Sequence, residues 1–298
     1  MKCLFLYNPQ SGKGKIAKKE KYITSFLEKT FDKLVVFRTQ AKGDVTKEIL
    51  KSGEKFDTIV VAGGDGTISE AVNGIMHLEK KPSLAILPFG TVNDVAHSLK
   101  IPTNTKKALN VIAKGTAKPH DVIKVNDSYG IYVFGGGALT ETSYNTSQKA
   151  KKKFGRVAYG AHGLKKMFKT KNKSFTFSVD GKKISSKASL FLFINSKYVA
   201  GFKIDPNNDY SDQKGSFVLI ESDSEKVKLS QLFKIARLFL CGYKNFKDKM
   251  LVKAKATKVK IESLEPYDFN LDGEIFPASS ATIEIVPGLK IISYETKT

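Results

Sequence analysis

The sequence predicts an α/β domain up to about Lys124 and an all-β, sandwich-like domain beyond it. Strand and helix patterns alternate in the first part, as in a parallel sheet covered by helices with ligands at the carboxyl ends of its strands. Within it the apolar run Val60-Val61-Ala62 breaks into the glycine turn Gly63-Gly64-Asp65-Gly66-Thr67, a strand-to-helix connection. Past Lys124 several segments alternate by two, and Asp180-Gly181 between two of them is a hairpin signal. At 298 residues and 41% hydrophobic, the chain is long enough to pack two cores.

Taken in order, Lys2–Tyr7 reads as a first strand, because its apolar run is short and stops at Asn8-Pro9. Lys15–Thr30 reads as a helix, 33–39 as a strand, Asp44–Ser52 as a helix and 57–62 as the strand before the glycine turn. Ile68, Val72 and Ile75 carry helical spacing behind that turn; a strand at 84–87, a helix from Thr91 and a helix over Thr105–Lys114 follow. In the second part 129–134, 174–179, 184–195, Gly215–Ser222, 251–262 and 281–286 read as strands, with a helix over 229–241. A last strand, 289–294, would finish the sandwich.

Glycine reaches φ > 0 and approaches a ligand without Cβ interference, so the N–H groups of Gly63, Gly64, Gly66 and Thr67 would cradle a phosphate at the positive end of the next helix. Asp65 is then placed to hold a magnesium ion or its waters. The same residues also describe a tight turn with a capping aspartate. A second loop of this kind, Pro88-Phe89-Gly90-Thr91-Val92-Asn93-Asp94, follows the strand at 84–87. Late in the chain stands Phe269-Asn270-Leu271-Asp272-Gly273-Glu274, which reads as an Asp-Gly hairpin turn or as a pair of carboxylates supplying a base. Ser11-Gly12-Lys13-Gly14-Lys15 lacks the spacing and terminal hydroxyl of a P-loop, so Lys13 and Lys15 read as surface or steering charges.

In order and spacing, Asn8-Pro9-Gln10-Ser11-Gly12, the glycine turn, the GTVND loop and the LDGE segment resemble the diacylglycerol kinase family. The likeness is to its soluble bacterial lipid kinases and their sphingosine and ceramide kinase relatives, and it covers nearly the whole chain. It implies a nucleotide-binding α/β domain of the NAD-kinase and diacylglycerol-kinase type over 1–124 and 288–298, and a lipid-acceptor domain over 125–287. It further implies ATP- and magnesium-dependent phosphorylation of a lipid hydroxyl, diacylglycerol becoming phosphatidic acid, with phosphatidylglycerol, a sphingoid base and undecaprenol left open as acceptors. Carried over by position, it puts Asn8, Ser11, Gly12, Thr39, Gly63, Gly64, Asp65, Gly66, Thr67, Glu70, Thr91 and Asn93 around the nucleotide. Asp65 would hold the catalytic magnesium, directly or through water, with Glu70 adding to its water shell, and the general base falls on Asp272 or Glu274.

Two positions depart from the resemblance. His97 stands where many relatives have an arginine facing the lipid headgroup. Lys214 stands where bacterial relatives bind a structural magnesium through an aspartate, so that second metal is expected to be lost or replaced by the ammonium. Phe134, Phe191, Phe193 and Phe202 offer an apolar acceptor surface, with Gly135-Gly136-Gly137 allowing close approach, or else form ordinary core.

Fifty basic residues against 29 acidic give +21, a field that attracts an anionic membrane face or nucleic acid. From Gln148 to Ser174 there is no acidic residue, and Phe154, Val157, Ala161, Leu164 and Phe168 keep helical spacing among lysines. That pattern suits anionic lipid, or a helix packed on its own sheet with a solvated face. Together with the resemblance it makes a lipid substrate at an anionic membrane surface the expected partner, not nucleic acid, in a cytoplasmic protein peripherally attached to the membrane; a homodimer is left open. No segment approaches the roughly 20 apolar residues of a membrane span. Cys3 and Cys241, far apart in apolar runs, read as buried free thiols. The competing readings are an NAD kinase, which shares the glycine turn, and a non-catalytic basic protein binding membrane or nucleic acid.

Overall fold

The computed structural model describes residues 1–138 and 171–294. β1 (Lys2–Tyr7), β2 (Lys33–Arg38), β3 (Thr58–Gly63) and β4 (Ser83–Pro88) pair in parallel in the order β4-β3-β1-β2. β1, β3 and β4 are apolar along their length because helices cover both faces: Phe5, Val60 and Ala85 are fully buried. β2, at the edge, leaves Val35 and Val36 exposed. Around this sheet lie α1 (Lys15–Thr30), α2 (Asp44–Ser52), α3 (Asp65–Met76), the short α4 (Asp94–Ser98) and α5 (Thr105–Lys114). α1 buries Ile16, Ile23 and Leu27, and α2 buries Val45 and Ile49, each set at the spacing of one helical face.

The chain then enters a long antiparallel region: β5 (Thr116–Val125), β6 (Ser128–Gly130), β7 (Val133–Gly137), β8 (Lys173–Val179), β9 (Lys182–Ile194), the small hairpin β10 (Tyr198–Val199) and β11 (Phe202–Lys203), and β12 (Gly215–Ser222). After α6 (Leu229–Asn245) come β13 (Leu251–Ala256), β14 (Lys258–Leu271) and β15 (Glu274–Ser293). β8 and β7 both bridge β14 and β9, so the sheet rolls back on itself around an aromatic core in which Phe175, Phe177, Phe191, Tyr267 and Phe269 meet edge to face. The opposite faces of β9 and β12 carry Leu190, Leu192, Val218 and Ile220, which pack under Leu232, Ile235 and Leu238 of α6. β9 is therefore apolar on both sides and reads as a continuous run.

The two regions share one sheet rather than lying in separate layers. β15 pairs with β14 through its first half and with β5 through its second, and sets Ile291 beside Leu84 of β4. The expected strands 281–286 and 289–294 are thus one strand with a bulge between Val286 and Leu289. The expected strand 251–262 is two, parted at Thr257, whose N–H and hydroxyl both donate to the Asp180 carboxylate. The helix expected from Thr91 starts only at Asp94, because Asn93 holds a left-handed φ of 57°. β5 was not anticipated, and α6 outruns its expected end, passing through a break at Gly242 (φ 76°).

Phe134, Phe191 and Phe193 belong to the core, whereas Phe202 is 44% exposed. Cys3 is buried as expected, but Cys241 is exposed on α6. The basic stretch from Gln148 lies outside the described residues save for its end at Lys171, Lys173 and Ser174. No helix among the described residues is long and apolar enough to cross a membrane. The triple glycine of β7 lets two strands close up: a Cβ on Gly136 would stand 2.3 Å from the Phe191 ring. Gly136→Ala should therefore lower stability by about 2 kcal/mol in urea titration; an unchanged midpoint would show that the aromatic core yields freely.

Candidate active site

The carboxyl ends of β1, β3 and β4 deliver three loops to one place, and the loops touch through backbone. Gly12, at φ 60°, lies so close to the loop after β4 that a Cβ would stand 3.0 Å from the Phe89 carbonyl oxygen. Gly64 and Gly90 meet face to face, since a Cβ on Gly90 would fall 2.7 Å from the Gly64 Cα. Asn8 braces its own loop by accepting the Gln10 N–H at 2.9 Å, and the Ser11 N–H donates to its carbonyl at 3.0 Å. Asn93 clasps Gly90, accepting its N–H at 2.8 Å and donating to its carbonyl at 3.0 Å. Its amide is thereby committed to shaping the loop. Gly63 leaves room for the Thr67 side chain, which stands at the first turn of α3; Gly66 and Thr91 are exposed, and Thr39 is buried at the end of β2. What these loops form is a glycine-lined surface at the N-terminus of α3, whose first turn closes with the Thr67 N–H donating to the Gly64 carbonyl at 3.0 Å.

Four carboxylates surround that surface. Asp65 is the first residue of α3 and accepts the Val95 N–H through Oδ1 at 3.1 Å. Asp94 is buried and accepts the Gly201 N–H at 2.8 Å. Burial, added to by the charge of Asp65, pushes the Asp94 carboxyl up to about 6. Sequence reasoning quoted Asp94 only as the end of the GTVND loop and gave it no role. Asp94 follows the left-handed Asn93 at the start of α4 and is turned into the protein.

Asp272 and Gly273 form the two-residue turn of the β14–β15 hairpin, both at positive φ (52° and 92°). The hairpin reading of this segment holds. Asp272 is 3% exposed. Its oxygens accept the Ser69 hydroxyl at 2.8 Å and the N–H groups of Ile131 (2.6 Å), Tyr132 (3.0 Å) and Val133 (2.9 Å). Burial pushes its carboxyl above the usual range, against the pull of those four donors. Because Ser69 lies one turn beyond Asp65 on α3, this carboxylate docks the hairpin against the helix that carries Asp65.

Glu274, the next strand residue, is about half exposed and paired with the Lys42 ammonium from the loop after β2. Lys42 escaped sequence reasoning, for a lysine in a loop carries no signal of its own. Glu70 accepts the Gly43 N–H at 3.0 Å and so ties α3 to the start of α2. Its partial burial, with Glu274 nearby, raises its pKa. His97 is exposed beside Tyr198, with ring centroids 6.0 Å apart. Lys214 is exposed too, and its backbone N–H donates to the Asp212 carboxylate at 3.0 Å.

The diacylglycerol kinase catalytic domain model matches residues 2–125, and the YegS C-terminal NAD kinase beta sandwich-like domain model matches 132–293. The chain is similar to a diacylglycerol kinase of Bacillus subtilis (strain 168), 32% identical over 272 residues, covering 90% of this chain and 88% of the relative. It is 34% identical over 271 residues to one from Staphylococcus carnosus (strain TM300), covering 90% and 87% respectively. A crystal structure of a diacylglycerol kinase from Bacillus anthracis str. Sterne superposes with a TM-score of 0.75 at 26% identity, over 98% of this chain and 96% of that one.

Asp94 gives a stability test. Its folded pKa of about 6 lies above the ordinary 3.8, so the native state holds its proton where the unfolded chain has lost it. Stability from this group is full below pH about 4 and is lost as pH rises towards 6. Asp94→Asn, which keeps an acceptor for Gly201, should match the wild type at pH 4 and be more stable at pH 7.5 by on the order of 2 kcal/mol. Parallel urea midpoints across that range would contradict the assignment.

Proposed function

The chain belongs to the diacylglycerol kinase family, and from that premise we propose that it transfers the γ-phosphoryl group of ATP to a lipid hydroxyl, converting diacylglycerol to phosphatidic acid at an anionic membrane face. The observation that carries this reading is the Asp272–Ser69 contact, which sets a late hairpin and its Glu274 beside the helix that opens from the glycine loops. Phosphoryl transfer asks little covalent chemistry of a protein. It needs charge neutralised on the nucleotide, the two oxygens held in line and a base for the attacking hydroxyl.

The glycine loops supply the first of these through backbone N–H groups. Asp65, with Asp94 behind it, suits a magnesium ion: two neighbouring carboxylates repel one another, and magnesium is ordinarily held by one or two carboxylates with phosphate oxygens and water completing its shell. Bound there, the ion would neutralise charge on the transferring phosphoryl group.

Glu274 is the base in this reading and Asp272 its positioning residue. A carboxylate has about four lone-pair sites, and Asp272 already accepts four hydrogen bonds. Glu274 keeps acceptor capacity beyond Lys42. It takes the hydroxyl proton as the lipid oxygen bonds to the γ-phosphorus and the bond from that phosphorus to the departing ADP oxygen breaks. Lys42, ion-paired with it, aims the carboxylate. The NAD-kinase alternative shares the glycine turn, and the GTVND and LDGE segments speak for the lipid kinase.

Labelled ATP offered with diacylglycerol, phosphatidylglycerol, sphingosine, undecaprenol or NAD should mark diacylglycerol; label on NAD alone would overturn the reading. Glu274→Gln should lower kcat by about 10² to 10⁴, leaving the KM for ATP and the Tm unchanged. Asp272→Asn should lower both kcat and Tm, since its amide would face the Ile131 N–H with a donor. The pair of roles is wrong if Glu274→Gln turns over normally or if the two variants lose stability alike. Asp65→Ala should cost at least about 10² in turnover at any magnesium concentration.

A further inference from the structure

α6 turns one face inward and, among the described residues, leaves the other bare. Leu232, Ile235 and Leu238 are buried against the sheet, while Leu229 is 57%, Phe233 63% and Leu240 75% exposed. With Ala236, these three fall within a narrow wedge of the helix, at steps of four, three and four. On one shoulder Phe239 meets the exposed Phe202 edge to face, 5.6 Å between centroids. On the other stand Arg237 and Lys244. Such an apolar stripe needs an occupant.

We propose that the outer face of α6, together with Phe202, is the surface by which this protein lies on an anionic bilayer, Leu229, Phe233 and Leu240 entering the acyl boundary and the flanking cations engaging lipid headgroups. Charge decides between a bilayer and a second copy of the chain. Between 226 and 249 seven basic residues stand against one acidic, Asp248, so two such faces brought together would repel, whereas anionic headgroups complement them. Position agrees. The β10–β11 hairpin that carries Phe202 is pinned at its tip to the candidate active site, where the Gly201 N–H donates to Asp94. A lipid lying along Phe202 and Phe239 would touch the hairpin that holds Asp94. The inference deepens the lipid-kinase reading and rests on it for its purpose, though not for its test.

The chain has no tryptophan, so Phe233→Trp places a single indole on the stripe. Without ATP, its emission should shift to the blue and lose access to iodide when vesicles of equimolar phosphatidylglycerol and phosphatidylcholine are added, and should not with phosphatidylcholine alone. The double variant Phe233→Ser, Leu240→Ser should keep its fold by circular dichroism, keep turnover on dispersed short-chain diacylglycerol, and partition at least about tenfold less into the anionic vesicles. An unshifted indole in a protein that still phosphorylates dispersed diacylglycerol would overturn the surface and leave the kinase reading standing. A shifted indole in a protein without kinase activity would do the reverse. If the double variant instead turned a dimer into a monomer with vesicle partitioning unchanged, the face would be an interface between copies and the inference wrong.

Discussion

The carboxylate of Asp272 is the constraint on which the rest turns. It accepts one hydrogen bond from α3 and three from the crossing at Ile131 to Val133, while its own backbone makes the turn between β14 and β15. Three elements remote in sequence are thus referred to one buried point. A desolvated carboxylate is costly unless its lone pairs are filled, and here they are. Positive φ at Asp272, tolerated better by aspartate than by most residues, is what lets a turn of two residues present the oxygens backwards into the protein and Glu274 forwards from it.

Charge is segregated along the same lines. The cations of the described residues lie mostly on the outside, whereas Asp94 and Asp272 are buried and Asp65 stands close enough to Asp94 for its charge to be felt there. A net positive charge of this size attracts anions over a long range. Lys42 is the point where the two populations meet.

Much of the fold was legible because much of it is local. α1, α2 and α5 and the strands β1 and β12 carry periodicity strong enough that their ends are marked by the residues themselves. β5 was not, since its first half, Thr116-Ala117-Lys118-Pro119, looks like a loop and becomes a strand only by pairing with β15. For the same reason β15 showed as fragments: its exposed middle earns no hydrophobic signal, and its register comes from two different partners. In the candidate site, the glycine and acidic residues were visible as types but not as roles. Asn93 turned out to spend its amide on Gly90, and Glu70 its carboxylate on Gly43. Which of two carboxylates has free lone pairs depends on donors 139 to 203 positions away, information that no short motif contains.

β15 runs twenty residues and belongs to both halves of the molecule. The seam between them is therefore a spine, laced on its flanks to β14, β5 and β4, and not a joint. Swinging one half away from the other would have to bend β5 and β15 together, since their ladder runs across the seam. Substrate entry must then be worked at the lips of a fixed jaw, by the loops that follow β1, β3 and β4 and by the small hairpin pinned to Asp94, while the jaw itself keeps its gape.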